Sequence, residues 1–181
     1  MTRRLHTLTA LAAIAVLTAA CNPFGASSRE RLPEDPRFAE FTYKTDGTIE
    51  VQERTDSFNA RMPGLGASEG HVAAANFPEG WLLPSPDHHY CLTGVPTVPD
   101  ETITALMEGT TSSALLPGIY PGLYQYVPQD CHFSTIDPEF ADKALAPDKE
   151  KIPHDFGPMN IRALAVSEDC NLLVFTALGH S

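Results

Sequence analysis

The chain has 181 residues, of which 23 are acidic and 12 are lysine or arginine, so its net charge at neutral pH is −11. An acidic excess of this size argues against binding to the phosphate backbone of DNA or RNA, which depends on clustered lysine and arginine. The sequence also lacks Walker A, dinucleotide-binding and paired zinc-finger motifs. We therefore expect no nucleic-acid partner and no cofactor.

The first 21 residues have the composition of an export signal. Arg3 and Arg4 provide a positive end, residues 8–16 are mainly apolar, and the small residues of Thr18-Ala19-Ala20 lead into Cys21. The apolar stretch is shorter than the roughly 20 residues of a membrane-crossing helix. This length favours a segment that is removed by processing.

The pattern resembles the precursor of a bacterial lipoprotein, in which the cysteine after the signal peptide receives a diacylglyceryl group and becomes the first mature residue. The resemblance covers residues 1–21. It implies a signal peptide over residues 1–20, lipidation of Cys21, and membrane lipid as the anchor at the extracytoplasmic face of the cell membrane. Members of that family usually have leucine where this chain has Thr18. Ordinary signal cleavage, which would yield a secreted protein, is the alternative.

Two regions are predicted after the signal. Residues 21–37 contain three prolines and many charged residues but few apolar ones, which is typical of a lipidated tether. Residues 38–181 have the length of one globular domain. Removal of residues 1–20 takes away Arg3 and Arg4 and no acidic residue, so the net charge changes from −11 to −13.

In chain order, the first predicted elements are strands. Residues 38–43 and 48–52 flank Asp46-Gly47, which predicts a hairpin. Residues 59–70 are rich in glycine and are predicted to be a loop. Later strands are predicted at residues 81–83, 90–92, 118–127 (with 123–127 as the paired part), 132–136, 161–166 and 172–178.

Two short helices have readable ends. Asp100 is a candidate N-cap for a helix that buries Ile103 and Leu106. Asp137, followed by Pro138, is a candidate N-cap for the second. The elements together predict an α+β fold, predominantly antiparallel β, as one small sheet or sandwich-like domain with two short helices.

Four cysteines are present, and a lipid on Cys21 would leave Cys91, Cys131 and Cys170. An oxidising compartment would then allow one disulfide and one remaining thiol. We expect the disulfide between Cys131 and Cys170, which lie beside predicted strands, although the sequence leaves the other pairings open. The bridge would contribute about 3 to 4 kcal/mol on the chain-entropy model.

Three groups of residues are candidates for chemistry or binding. Ser68 lies in Gly66-Ala67-Ser68-Glu69-Gly70, which matches the nucleophile elbow of a hydrolase, with His154 and His180 downstream. A flexible glycine-rich loop is the simpler interpretation.

The second group is Asp87, His88, His89 and Cys91, whose side chains are ligands of transition metals. Neighbouring residues on a strand point to opposite faces. At most one of the two histidines could therefore join Cys91, and no recognised metal-site spacing is present. Ordinary solvated histidines are the simpler interpretation.

The third group is aromatic and comprises Trp81, Tyr120, Tyr124, Tyr126 and Phe133. These residues could bind an envelope glycan or a partner protein, but aromatic residues at strand spacing usually pack in the core. The sequence thus favours a binding or interaction module of the cell envelope rather than an enzyme. A metal-binding protein and a small serine hydrolase are the alternatives.

Overall fold

The computed structural model describes residues 32–43, 45, 48–76, 89–146, 152 and 159–180, and these form an α+β domain built on one antiparallel sheet. The strands are β1 (Val51–Glu53), β2 (Glu69–Asn76), β3 (His89–Thr97), β4 (Thr110–Thr111), β5 (Ser134–Ile136), β6 (Met159–Ser167) and β7 (Leu172–His180). Their order across the sheet is β1-β2-β3-β7-β6-β5-β4. The predicted fold class is confirmed in its single-sheet form.

The helices of the described residues are α1 (Asp56–Arg61), α2 (Asp100–Met107), α3 (Pro138–Leu145) and a 3₁₀ helix (Pro121–Tyr126). The Asp137 carboxylate accepts a hydrogen bond from the backbone N–H of Phe140 at 2.9 Å, as an N-cap should. Asp100 is instead the first helical residue of α2, and Pro99 occupies its N-cap position.

The sheet separates two apolar clusters, and β7 contributes to both. Leu173, Phe175 and Ala177 pack on the face that α1, α2 and α3 cover. Val174 packs on the opposite face, under the 3₁₀ helix and Phe38. Because β7 is buried on both faces, its sequence is a nearly continuous apolar run rather than an alternating one.

One aromatic ring fixes α1 to the sheet. Phe58 is fully buried and its ring makes an edge contact with Phe175, with 5.5 Å between the ring centroids. The ring lies directly above Gly70 and Gly94, where an added Cβ atom would come within 2.8 and 2.7 Å of it. Glycine at these two strand positions therefore allows the ring, and with it α1, to lie close to the sheet.

The predicted hairpin of residues 38–43 and 48–52 is wrong as a pairing. Its second half overlaps β1, but Val51 pairs with Ala73 of β2. The described part of the first half contains one bridge residue, Phe38, which pairs in parallel with Leu116. Phe38 stacks on Tyr124, with ring centroids 4.3 Å apart, so this segment covers the sheet instead of extending it. The turn at Asp46-Gly47 lies outside the described residues.

Two further predictions need correction. Residues 59–70 are not all loop, since they contain the end of α1 and the start of β2. Residues 121–126 form a 3₁₀ helix and not a strand. Pro121 has no N–H for a strand ladder and occupies the first helical position, where its fixed φ angle is favourable. The predicted strand at residues 81–83 lies outside the described residues.

Candidate functional site

A cavity of about 500 Å³ opens on the helix-covered face, at the corner formed by β1, β2 and β3. Cross-strand partners share a face of a sheet. The register places Gln52 opposite Val72, and Ala74 opposite Leu92. The strand residues that line the cavity are Gln52, Val72, Ala74, Asn76, Tyr90 and Leu92.

The remaining lining residues come from α1 and from the chain on either side of β1. They are Thr48, Glu50, Arg54, Ser57 and Arg61. We call the whole site the Arg61 cavity. It combines a small apolar floor with walls that are mostly polar and charged.

Arg61, at the end of α1, is held in a defined orientation. Its Nε atom donates a hydrogen bond to the hydroxyl of Tyr90 at 3.0 Å, and its Nη1 atom donates one to the backbone carbonyl of Ser57 at 3.2 Å. The guanidinium carbon also lies 5.5 Å from the centroid of the Tyr90 ring, within cation–π range. The guanidinium group is thus positioned at the cavity wall before any ligand arrives.

Ser57 is the most informative residue of the cavity. Its side chain is only 7% exposed, yet its hydroxyl has no hydrogen-bond partner among the described residues. A buried hydroxyl without a partner costs about 1 to 3 kcal/mol of stability. Such groups are rare in folded proteins, and each calls for an explanation such as a bound water, an ion or a functional role.

The second arginine of the cavity, Arg54, is paired with a neighbouring carboxylate. Arg54 forms a two-pronged ion pair with Asp56, with its Nε atom 2.6 Å from Oδ1, and its Nη1 atom donates to the side chain of Gln52. The hydrogen bonds from Arg54 lower the pKa of Asp56 to about 2. The ion pair is exposed, so it contributes little to stability. Glu50 is the acidic residue among those that line the cavity.

Ser68 does not lie on a nucleophile elbow. An elbow places the serine between a strand and a following helix. Here the order is reversed, because Ser68 follows α1 and immediately precedes β2. Its backbone N–H donates to the carbonyl of Thr97 at 3.1 Å, and its side chain is exposed. His154 and the side chain of His180 lie outside the described residues.

The proposed metal ligands are only partly described. Cys91 lies in the middle of the sheet, is 1% exposed, and burial raises its pKa to about 12. Its thiol therefore stays protonated at neutral pH and is a poor metal ligand. Asp87, His88 and the side chain of His89 lie outside the described residues. Among the described residues, no group of three His, Cys, Asp or Glu side chains is placed to hold a metal ion.

The expected disulfide between Cys131 and Cys170 is present, with a Cα–Cα distance of 5.9 Å. Beside it, Asp169 accepts hydrogen bonds from the Ser167 hydroxyl and from the backbone N–H of His132, and it lies 2.9 Å from His132 Nδ1. Because the carboxylate separates the serine from the histidine, the three residues do not form a catalytic triad. They instead connect the same two segments as the disulfide.

The predicted aromatic group is divided. Tyr120, Tyr124, Tyr126 and Phe133 are partly buried and pack against the face of the sheet opposite the helices. Tyr126 also stacks on His71, with ring centroids 3.5 Å apart. These contacts agree with a core role. Trp81 lies outside the described residues.

Comparison with protein-family models, curated proteins and solved structures gives no match for this chain. In the described ranges, no helix combines the length and the apolar character needed to cross a membrane. Sequence reasoning missed Ser57 and Arg61, although Asp56 and Arg61 at opposite ends of α1 carry the charges that favour helix termini. That signal is the one that could have revealed the helix.

Proposed function

We propose that the protein is a binding module of the bacterial cell envelope, anchored to the membrane by a lipid on Cys21. The globular domain binds a small polar molecule in the Arg61 cavity. The observation that carries this proposal is the cavity itself, whose wall contains the buried hydroxyl of Ser57 without a partner among the described residues.

The disulfide between Cys131 and Cys170 supports an extracytoplasmic location. Disulfides persist in oxidising compartments and are uncommon in the cytosol of most organisms. The third cysteine of the domain, Cys91, is buried in the sheet and so is protected from oxidation. This distribution suits a protein that is exported before it folds.

Binding is tested by thermal unfolding of the full chain with a library of amino acids, sugars and nucleosides. A compound that binds the folded state raises the melting temperature. We expect at least one class of compound to do so, and we expect Ala74→Trp, which fills the floor of the cavity, to abolish the effect. Ala105→Trp, on the exposed side of α2, is the matched control. If no compound raises the melting temperature, the binding function is wrong.

The anchor is tested by cell fractionation of the wild type and of Cys21→Ser. The wild type is expected in the membrane fraction, because two or three acyl chains hold a protein firmly whereas one holds it only marginally. The variant should not be lipidated and should leave that fraction. A wild-type protein found entirely in the soluble fraction would rule out the anchor and leave the binding function untouched.

A further inference from the structure

We infer that the Arg61 cavity binds an uncharged saccharide, either as a free sugar or as the end of a glycan. The inference rests on the proposed binding function and names its ligand class. Two observations carry it. Both arginines of the wall are already engaged by other groups of the protein, and the buried hydroxyl of Ser57 lines the cavity without a partner among the described residues.

The arginines of the wall are held by the protein itself. Arg54 donates to the carboxylate of Asp56 through both Nε and Nη2. Arg61 donates to the hydroxyl of Tyr90 and to the backbone carbonyl of Ser57, and its guanidinium group also lies against the Tyr90 ring. An anionic ligand would have to compete with these contacts. The net charge of −11 disfavours an anion further.

The other polar groups of the wall are suited to pair with hydroxyls. Thr48 and Ser57 contribute hydroxyls, Asn76 contributes a side-chain amide, and Glu50 contributes a carboxylate. Hydroxyl and amide groups both donate and accept hydrogen bonds, whereas a carboxylate only accepts. A sugar hydroxyl also donates and accepts, so it can pair with any of these groups. Glu50 can accept a charge-assisted hydrogen bond from it without requiring a charge on the ligand.

The hydroxyl of Ser57 gains most from such a ligand. Its side chain is 7% exposed, and its oxygen has no hydrogen-bond partner among the described residues. Because Ser57 lines the cavity, a ligand hydroxyl can supply that partner. A buried polar group without a partner is costly, so the new hydrogen bond favours the bound state.

The floor of the cavity is small and apolar, and it is formed by Val72, Ala74 and Leu92. The carbon face of a sugar ring can lie on such a floor, which removes apolar surface from water. The hydroxyls at the edge of the ring then reach the polar wall. A hydrophobic ligand would instead leave the polar groups of the wall unpaired, which costs affinity. The volume of about 500 Å³ is within the range of sites for small ligands.

The test is isothermal titration of the full chain with four neutral sugars, namely glucose, galactose, mannose and N-acetylglucosamine. Glucuronate, choline and L-alanine are the anionic, cationic and zwitterionic comparisons. We expect at least one neutral sugar to bind, and we expect each charged compound to bind about tenfold more weakly or less. A disaccharide of the best sugar distinguishes the two sources. Tighter binding of the disaccharide identifies the end of a glycan, and weaker binding identifies a free sugar.

Two variants assign the contacts. Ser57→Ala and Glu50→Gln should each weaken binding of the best neutral sugar about fivefold, since each removes or weakens one hydrogen bond. Glu50 is exposed, so its variant is informative even if the change at Ser57 disturbs α1. Ser68→Ala and Glu101→Gln, at exposed positions that do not line the cavity, are the matched controls and should leave the affinity unchanged.

A charged compound that binds as tightly as the best neutral sugar would overturn the saccharide inference, and so would unchanged sugar affinity in either Ser57→Ala or Glu50→Gln. In both cases a ligand still binds, so the proposed function would stand. If no sugar binds while another compound of the wider library raises the melting temperature, the inference alone falls. If no compound binds, the inference and the binding function both fall.

Discussion

The hydroxyl of Ser57 is a local cost that the fold retains. It lies on the buried side of α1 with no partner among the described residues, at a position where the smaller alanine would also fit. Proteins often keep groups that reduce stability where those groups act on a ligand. The Ser57 hydroxyl therefore lowers the stability of the domain at the same place where a ligand is proposed to bind.

Replacing Ser57 by alanine should raise the free energy of unfolding by about 1 kcal/mol in the absence of ligand, because a buried hydroxyl without a partner is removed and alanine favours the helix. Urea unfolding measures the change. Ser68→Ala, at an exposed position, is the control and should stay within about 0.5 kcal/mol of the wild type. A less stable Ser57→Ala would show that the hydroxyl is already satisfied.

Asp169 is the second residue whose environment gives a clear expectation. Hydrogen bonds from Ser167 and then from His132 lower its pKa to about 2, below the ordinary value of about 3.9 for aspartate. The folded state therefore favours the carboxylate. Its contribution to stability is complete above about pH 4 and is lost as the pH falls towards 2.

We expect Asp169→Asn to be less stable than the wild type at pH 5, and we expect the difference to shrink at pH 2.5. Urea unfolding at the two pH values measures it. Asp130→Asn, at an exposed position in the same region, is the matched control. A difference that is the same at both pH values would mean that the ionised carboxylate of Asp169 is not what stabilises the fold.

At the scale of elements, the disulfide joins the segment before β5 to the turn between β6 and β7. Cys131 and Cys170 are 39 residues apart, and Asp169 bonds to His132 beside them. The covalent and the polar link thus hold the same two segments together. Each should matter less once the other is lost, because they restrict the same motion.

Cys131→Ser with Cys170→Ser should lower the free energy of unfolding by about 3 to 4 kcal/mol on the chain-entropy model. Urea unfolding in oxidising and reducing buffer gives the same comparison without mutation. Adding Asp169→Asn to the double variant should then cost less than it does alone, since both links restrict the same motion. Unfolding that does not respond to reduction would contradict a stabilising disulfide.

The contact between Phe58 and the glycines of the sheet determines where α1 lies. Gly94→Ala should destabilise the protein by about 1 to 3 kcal/mol, because the added methyl group overlaps the Phe58 and Phe175 rings. Combining it with Phe58→Leu should cost less than the sum of the two changes, since the smaller side chain makes room. Thermal or urea unfolding of Gly94→Ala, Phe58→Leu and the double variant gives the double-mutant cycle. Strictly additive effects would contradict the contact.

Elements with local signals could be predicted from the sequence, whereas those that depend on distant partners could not. Asp137 caps α3 by accepting a hydrogen bond from Phe140, three residues away, so the local sequence was sufficient to predict the start of this helix. Val51 of β1 pairs with Ala73 of β2, 22 residues further along the chain, and a nearby Asp-Gly turn suggested a different partner. The aromatic residues of the 3₁₀ helix resemble a strand in composition, but Pro121 prevents one.

The cavity could not be predicted from the sequence, for a related reason. Its lining residues come from three strands, from α1 and from the chain on either side of β1, and they meet only once the register of the sheet is fixed. The helix that carries Ser57 and Arg61 is also short and ends in a region rich in glycine. By contrast, the positions of the cysteines beside predicted strands favoured the Cys131–Cys170 pairing, although the sequence left the other pairings open.

At the scale of the whole molecule, the proposed lipid on Cys21 would connect an acidic domain to the membrane through residues 21–37. A net charge of −13 after removal of residues 1–20 would repel the domain from anionic headgroups over a Debye length of about 8 Å. A tether would therefore hold the domain close to the membrane while its charge keeps it away from the headgroups. Both the anchoring and the distance from the membrane depend on whether Cys21 is lipidated.

Intact-mass analysis of the protein extracted from membranes tests the lipidation of Cys21 most directly. We predict a chain that begins at Cys21, carries the mass of a diacylglyceryl group, and contains one disulfide and one thiol. A chain that begins at another residue, or one that begins at Cys21 without added lipid mass, would contradict the account.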